Sequence, residues 1–233
     1  MRIRVEKAGR RAVVAVTLAA VLGGCAGRDA AGTPPTRTEG PGTKAPAVMD
    51  GRTLGAAGSP CALPVRFDLA KGWQARPIDA TQGAVGSDGD LGAALLRQGP
   101  VTAACEIDSK PAGHIGFLRV WTGRAGGADP RGVLRGFVAA EGDVGAERYR
   151  AFTTGGGVHG VEVEYSFTSE LLGTTKKESA FAVGTPGGPV VVHLGGIDTE
   201  EHDAMLPAYE LAKRTLRVIR QDPGAHKAPL GMS

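Results

Sequence analysis

His193 and His202 are the side chains of this chain best suited to chemistry. An imidazole can act near neutral pH as a general base or as a metal ligand. His193 closes the apolar run Val190-Val191-Val192, and His202 stands between Glu201 and Asp203. A serine joined to such a base and a carboxylate would carry out acyl transfer, with Ser166, Ser169 or Ser179 as the nucleophile. No local pattern assembles that set. Gly-x-Ser-x-Gly, His-Glu-x-x-His, zinc-finger spacing and calcium-loop spacing are all missing. Ser166 and Ser169 have no histidine near them in sequence, and Ser179 lies between Glu178 and Ala180.

Each candidate has a plainer role. A histidine on a central strand is more often a hydrogen-bonded core residue than a ligand. Glu200-Glu201 suits the first turn of a helix, where the dipole favours negative charge, better than a pair of catalytic carboxylates. Gly195-Gly196 precedes that helix, but Asp198 would repel an anion there, so a turn is expected. Trp73 and Trp121 are of a type that lines glycan or lipid pockets, and are assigned to core packing. Lys176-Lys177 reads as a solvated strand end. The residues therefore yield no catalytic set, no cofactor-binding residues and no metal ligands.

The elements that would position these side chains follow from periodicity. Val65–Leu69 alternates and reads as a strand, followed at Lys71-Gly72 by a turn and by a short strand over Gln74–Ile78. Leu91–Leu96 is a candidate short helix. Thr102–Ser109 and His114–Thr122 read as strands, the second with apolar residues on both parities and so buried on both faces. Asp129-Pro130 opens a helix, as N-cap and first helical residue, and Val133, Leu134, Phe137 and Val138 follow at helical spacing. Val161, Val163, Tyr165 and Phe167 alternate with polar residues, the signature of a half-buried antiparallel strand, after a turn at Gly155-Gly156-Gly157. Glu178–Val183 and the apolar run Val190–Leu194 are further strands, the latter central. A last helix has the capping pair Asp198 and Glu201 and an apolar stripe of Met205, Tyr209, Ala212, Leu216 and Ile219. Pro207 inside it implies either a kink or a start near Leu206. The order β-β-(α)-β-β-α-β-β-β-β-α predicts an α+β fold, an antiparallel β-sheet flanked by helices.

The N-terminus has a different logic. Arg2, Arg4, Lys7, Arg10 and Arg11 precede the apolar run Ala12–Gly24. That run is too short for a transmembrane helix, which needs roughly 20 apolar residues, and reads as a secretory signal peptide over 1–24. Arg10-Arg11 lacks the following Phe-Leu pair that would mark twin-arginine export. Leu22-Gly23-Gly24-Cys25 resembles the lipobox of bacterial lipoproteins. The resemblance implies that the Cys25 thiol receives a diacylglyceryl group and becomes the first residue after cleavage. Two acyl chains hold a protein stably on a membrane where one does not. The expected location is the extracytoplasmic face of the cell membrane.

Removing the signal changes the composition. The whole chain carries a formal charge of +3, but residues 1–24 hold five basic and one acidic residue, which leaves 22 basic, 23 acidic and a balance of −1. A near-neutral chain has no global electrostatic reason to bind nucleic acid. Residues 25–59 are rich in Gly, Ala, Pro and Thr and are expected to form a tether, with one globular domain over 60–221 and a frayed tail over 222–233. With Cys25 lipidated, Cys61 and Cys105 remain as an even pair in an oxidising compartment, and a disulfide between them is expected, against the alternative of two separately buried thiols.

Phe67-Asp68-Leu69 followed by Gly72-Trp73, and the closing Leu211–Val218 that runs from a helix into Thr-Leu-Arg-Val, resemble the opening and closing of the PsbP-like fold. Together with the lipobox and tether, the chain is similar to LpqN-type surface lipoproteins over roughly Val65–Ile219. The resemblance implies a PsbP-like α/β/α sandwich and a mainly non-enzymatic family, with no catalytic residues to transfer and no motif containing Cys61 and Cys105. The leading expectation is a non-catalytic module that binds a protein, lipid or glycan of the envelope. The alternatives are a small hydrolase of cell-wall or lipid esters, with His193 or His202 as base, and a carrier for a hydrophobic ligand. A pocket holding a nucleophile within reach of a histidine would favour the hydrolase, and a closed apolar cavity the carrier.

Overall fold

The computed structural model describes residues 49–79, 96–126, 129–171 and 173–219. In chain order the first strands are β1 (Met49–Leu54), β2 (Val65–Ala70), β3 (Gln74–Pro77), β4 (Arg97–Gln98), β5 (Val101–Asp108) and β6 (Gly116–Gly123). Helix α1 (Pro130–Ala139) follows, then β7 (Val144–Thr153), β8 (His159–Ser169), β9 (Thr174–Thr185) and β10 (Gly188–Gly196). Helix α2 (Thr199–Thr215) leads into β11 (Arg217–Val218). Among the described residues the strands form two sheets. The smaller has the order β1-β2-β11; the larger has the order β3-β5-β6-β10-β9-β8-β7, with β4 beside β5. Every neighbouring pair of strands in both is antiparallel.

The valine run makes β10 the centre of the larger sheet, because β-branched side chains suit a strand covered on both faces. β10 is buried at every position, between β6 and β9. Val190, Val192 and Leu194 share one core with Phe181 and Ile107, and α2 contributes Met205, Tyr209 and Leu211 to it. Leu54, Val65 and Phe67 bring the smaller sheet into that same core. Val191 points the other way, toward Trp121, Tyr165 and the α1 residues Leu134, Phe137 and Val138. One face of the larger sheet thus carries α1, and the other carries α2 with the smaller sheet. Both helices begin as their caps require: the Asp129 side chain accepts from Gly132 N–H and that of Asp198 from Glu201 N–H. Trp73 and Trp121 are core residues, as expected. Cys61 and Cys105 are joined by a disulfide across 44 positions, which ties the segment before β2 to β5.

Several expectations change. The tether expected over 25–59 gives way at Met49, where β1 begins; Leu54 pairs with Phe67 and is fully buried. Composition misses β1 because a strand is held by backbone hydrogen bonds that need no apolar side chain. The smaller sheet was not expected either. Gly195 and Gly196 form no turn but end β10, and a Cβ on Gly196 would stand 2.9 Å from the backbone nitrogen of His202. Gly196 lets the first turn of α2 close onto the sheet. Helix α2 starts at Thr199 and runs through Pro207. Leu216, placed on the helical stripe, is its C-cap, and Arg217 belongs to β11. The helix considered over Leu91–Leu96 lies outside the described residues except for Leu96, which is in a turn. The signal peptide, Cys25 and the tail 222–233 also lie outside them.

Candidate functional site

The two histidines face opposite sides of the larger sheet, so the fold does not bring them together. His193 lies opposite Arg119 on β6 and Ala180 on β9. Its Nε2 is 2.6 Å from Glu178 Oε2 and 3.3 Å from the Tyr165 hydroxyl. The other Glu178 oxygen meets Lys176 Nζ at 2.7 Å, and Lys176 also donates to the Gly196 carbonyl. The Tyr165 hydroxyl donates to Glu141, which follows the C-cap of α1. The rings of Phe137 and Phe117 stand edge-on to the imidazole, at 5.4 and 6.5 Å.

This cluster is one end of a polar row across the sheet. Arg76, Glu106, Arg119 and His193 are successive cross-strand partners on β3, β5, β6 and β10, and Glu178 faces Tyr165 between β9 and β8. Alternating charge directly across strands is favourable. Burial would raise the Glu106 carboxyl, but the hydrogen bonds and charges of Arg119 and Arg76 outweigh it and hold it below the usual range. The same balance holds at Glu178, where burial is outweighed by His193 and Lys176. Glu141 goes the other way: its burial exceeds what His193 and Tyr165 return, and its carboxyl is raised. Glu178 is therefore the ionised centre, receiving His193 Nε2–H and the Lys176 ammonium. Glu141, Glu178 and His193 hold their ligand atoms within 4.8 Å of one another, a donor set that could take a metal ion. Lys176 already places a cation on Glu178.

His202, on α2, is fully buried on the other face. Its Nε2 lies 2.9 Å from Ser179 Oγ on β9, and its Nδ1 lies 3.3 Å from Asp203 Oδ1. Burial lowers the His202 pKa more than Asp203 restores it, so the imidazole is neutral at pH 7. In that state Nδ1–H donates to Asp203 and Nε2 accepts from the Ser179 hydroxyl. A serine, a histidine and an aspartate thus meet, as acyl transfer requires. Ser179 is only 4% exposed, and the cavity it lines is small, about 130 Å³. Tyr209 lines the same cavity, and among the described residues its hydroxyl has no hydrogen-bond partner.

Ser179 and His202 were singled out separately by residue type; their contact was not legible, because β9 and α2 are brought together only by packing. Glu141 and Tyr165 had no sequence signal for a site. Lys176 does not act as a freely solvated strand end, since it is paired with Glu178. Among the described residues no helix is long and apolar enough to cross a membrane.

The solution structure of cyanobacterial PsbP (CyanoP) from Synechocystis sp. PCC 6803 is similar to this chain at 13% sequence identity, covering 76% of this chain and 96% of that one, with a TM-score of 0.47. No curated protein matches the chain. A family model described as uncharacterised lipoprotein matches residues 31–216, and the chain belongs to that family.

Proposed function

We propose that this chain is a lipid-anchored lipoprotein of the extracytoplasmic membrane face that works as a non-catalytic binding module for an envelope component. Residues 1–24 are its signal peptide, Cys25 carries the diacylglyceryl group, and the chain from Cys25 to β1 is the tether. The observation that carries this reading is the buried Cys61–Cys105 disulfide, since such bonds persist where the surroundings are oxidising. Family membership supports the anchor. We further read the domain as a PsbP-like α/β/α sandwich, on Phe67-Asp68-Leu69, Gly72-Trp73 and the closing Thr215-Leu216-Arg217-Val218.

The non-catalytic part rests on how His193 and His202 are used. His193 is spent on Glu178 and Tyr165 in the interior, and among the described residues no serine is hydrogen-bonded to it. The contact of Ser179 with His202 favours a second reading, an ester hydrolase with Ser179 as nucleophile and His202 as base. Its near-complete burial weighs against that.

Mass spectrometry of the protein extracted from membranes tests both parts. The expected N-terminal residue is a diacylglyceryl-modified Cys25, and Cys25→Ser is expected to leave the membrane fraction. An unmodified Cys25 overturns the anchor. Treatment with a fluorophosphonate is expected to leave Ser179 unlabelled, and stoichiometric label on Ser179 would replace the binding module with the hydrolase.

A further inference from the structure

A cleft of about 540 Å³ opens where the smaller sheet meets the end of α2, and Arg66, Arg214 and Arg217 are among the residues that line it. All three are exposed, and among the described residues none of them has an acidic partner. Arg66 and Arg217 are direct cross-strand partners between β2 and β11. Like charges placed opposite one another destabilise a strand pair. Other charged cross-strand pairs among the described residues are of opposite sign: Arg76, Glu106 and Arg119 alternate, Arg148 faces Glu164, and Arg150 faces Glu162. The one carboxylate in the cleft, Asp68, accepts from Thr53 Oγ1 instead of an arginine. Among the described residues that line the cleft, three arginines, always charged, stand against one carboxylate, an excess of two positive charges.

The cleft is shaped by backbone as well as by charge. The Gly155-Gly156 turn closes on the end of α2, where Gly155 N–H donates to the Arg214 carbonyl at 2.8 Å. A Cβ on Gly156 would come within 2.7 Å of Arg217 Cγ, so glycine there lets the Arg217 stem lie against the turn. The Thr215 hydroxyl donates to the Leu211 carbonyl and accepts from Asp68 N–H, which further occupies the negative end of the helix.

We propose that this cleft binds a phosphate group carried on an organic body. Guanidinium forks match the several oxygens of a phosphate, and the volume exceeds that of bare phosphate and falls within the roughly 300–1,000 Å³ of small-molecule sites. The proposal deepens the binding-module reading by naming its ligand class, and rests on that reading only for the source of the phosphate. β1, which supplies Thr53 to the cleft, is the first described element after Cys25. The 24 residues from Cys25 to Val48 reach at most about 80 Å. An anchored protein can therefore meet phospholipid headgroups in its own membrane.

The test uses the mature chain from residue 25 as Cys25→Ser, so that no acyl group carries it to a bilayer. It is titrated with phosphatidylcholine vesicles, with vesicles containing phosphatidylglycerol, and with inorganic pyrophosphate. Saturable binding is expected in at least one of the last two arms and not in the first. Arg66→Gln or Arg217→Gln should weaken it about tenfold or more, the worth of a charged hydrogen bond. Arg217→Gln should also keep or raise the melting temperature, because it removes the opposed charges. Binding confined to the phosphatidylglycerol vesicles identifies a lipid headgroup, and binding confined to pyrophosphate points to a phosphate source in solution rather than in the bilayer. No saturable binding in either arm, or binding unchanged in both variants, overturns the proposal. An unmodified Cys25 in the membrane-extracted protein would remove the anchor and leave these results standing.

Discussion

At the scale of single residues, two buried histidines are held in different ways. His193 sits between Arg119 and Glu178 in a row where charges alternate. His202 is neutral and fully enclosed, because burial lowers its pKa below 6.5. A group with a depressed cationic pKa binds its proton more readily in the unfolded chain. As pH falls through 6.5 the unfolded state gains protons that the native state refuses, and stability falls. His202→Gln should therefore be less stable at pH 7 yet lose less on acidification from pH 7 to about 5 than the parent does. Chemical denaturation at several pH values measures this, and parallel slopes for the two proteins would refute it. The sequence announced both histidines by type and by neighbour, with His193 on a central strand and His202 at a helix start. It did not reveal Ser179 as the partner of His202, because that contact joins a strand to a helix across the core.

At the scale of elements, the local signals were strong wherever one chain segment carried its own pattern. The alternation from Val161 to Phe167 became β8, the valine run became β10, and Asp129 and Asp198 cap the helices they precede. β1 had no such pattern. It is fixed by pairing with β2 and by the burial of Leu54. Truncation distinguishes a tether from a strand: a chain beginning at residue 48 should keep its stability. A chain beginning at residue 55 should lose about 2 kcal/mol or more, from the Leu54 side chain alone, and should expose the edge of β2. Urea midpoints of the two truncated chains decide it, and equal midpoints would return residues 49–54 to the tether.

At the scale of the whole molecule, the Cys61–Cys105 bond joins the segment before the smaller sheet to the larger one. Closing a loop across 44 positions stabilises by about 4 kcal/mol on the chain-entropy account. The double variant Cys61→Ala/Cys105→Ala should lose about that much, and reduction of the parent should lower it to the same level. A parent indifferent to reductant would mean that the thiols are not paired in solution. The sequence by itself determined what depends on neighbours along the chain: the apolar run ahead of Cys25, the parity of the cysteines, the strand alternations and the helix caps. These are short-range effects of side-chain size, backbone torsion and local hydrogen bonding. Tertiary structure alone decided that β1 is a strand, that Ser179 meets His202, that a polar row crosses six strands, and that Arg66 stands opposite Arg217. Each depends on the register between segments distant in sequence, and register is set by how the smaller and larger sheets share their cores with α1 and α2.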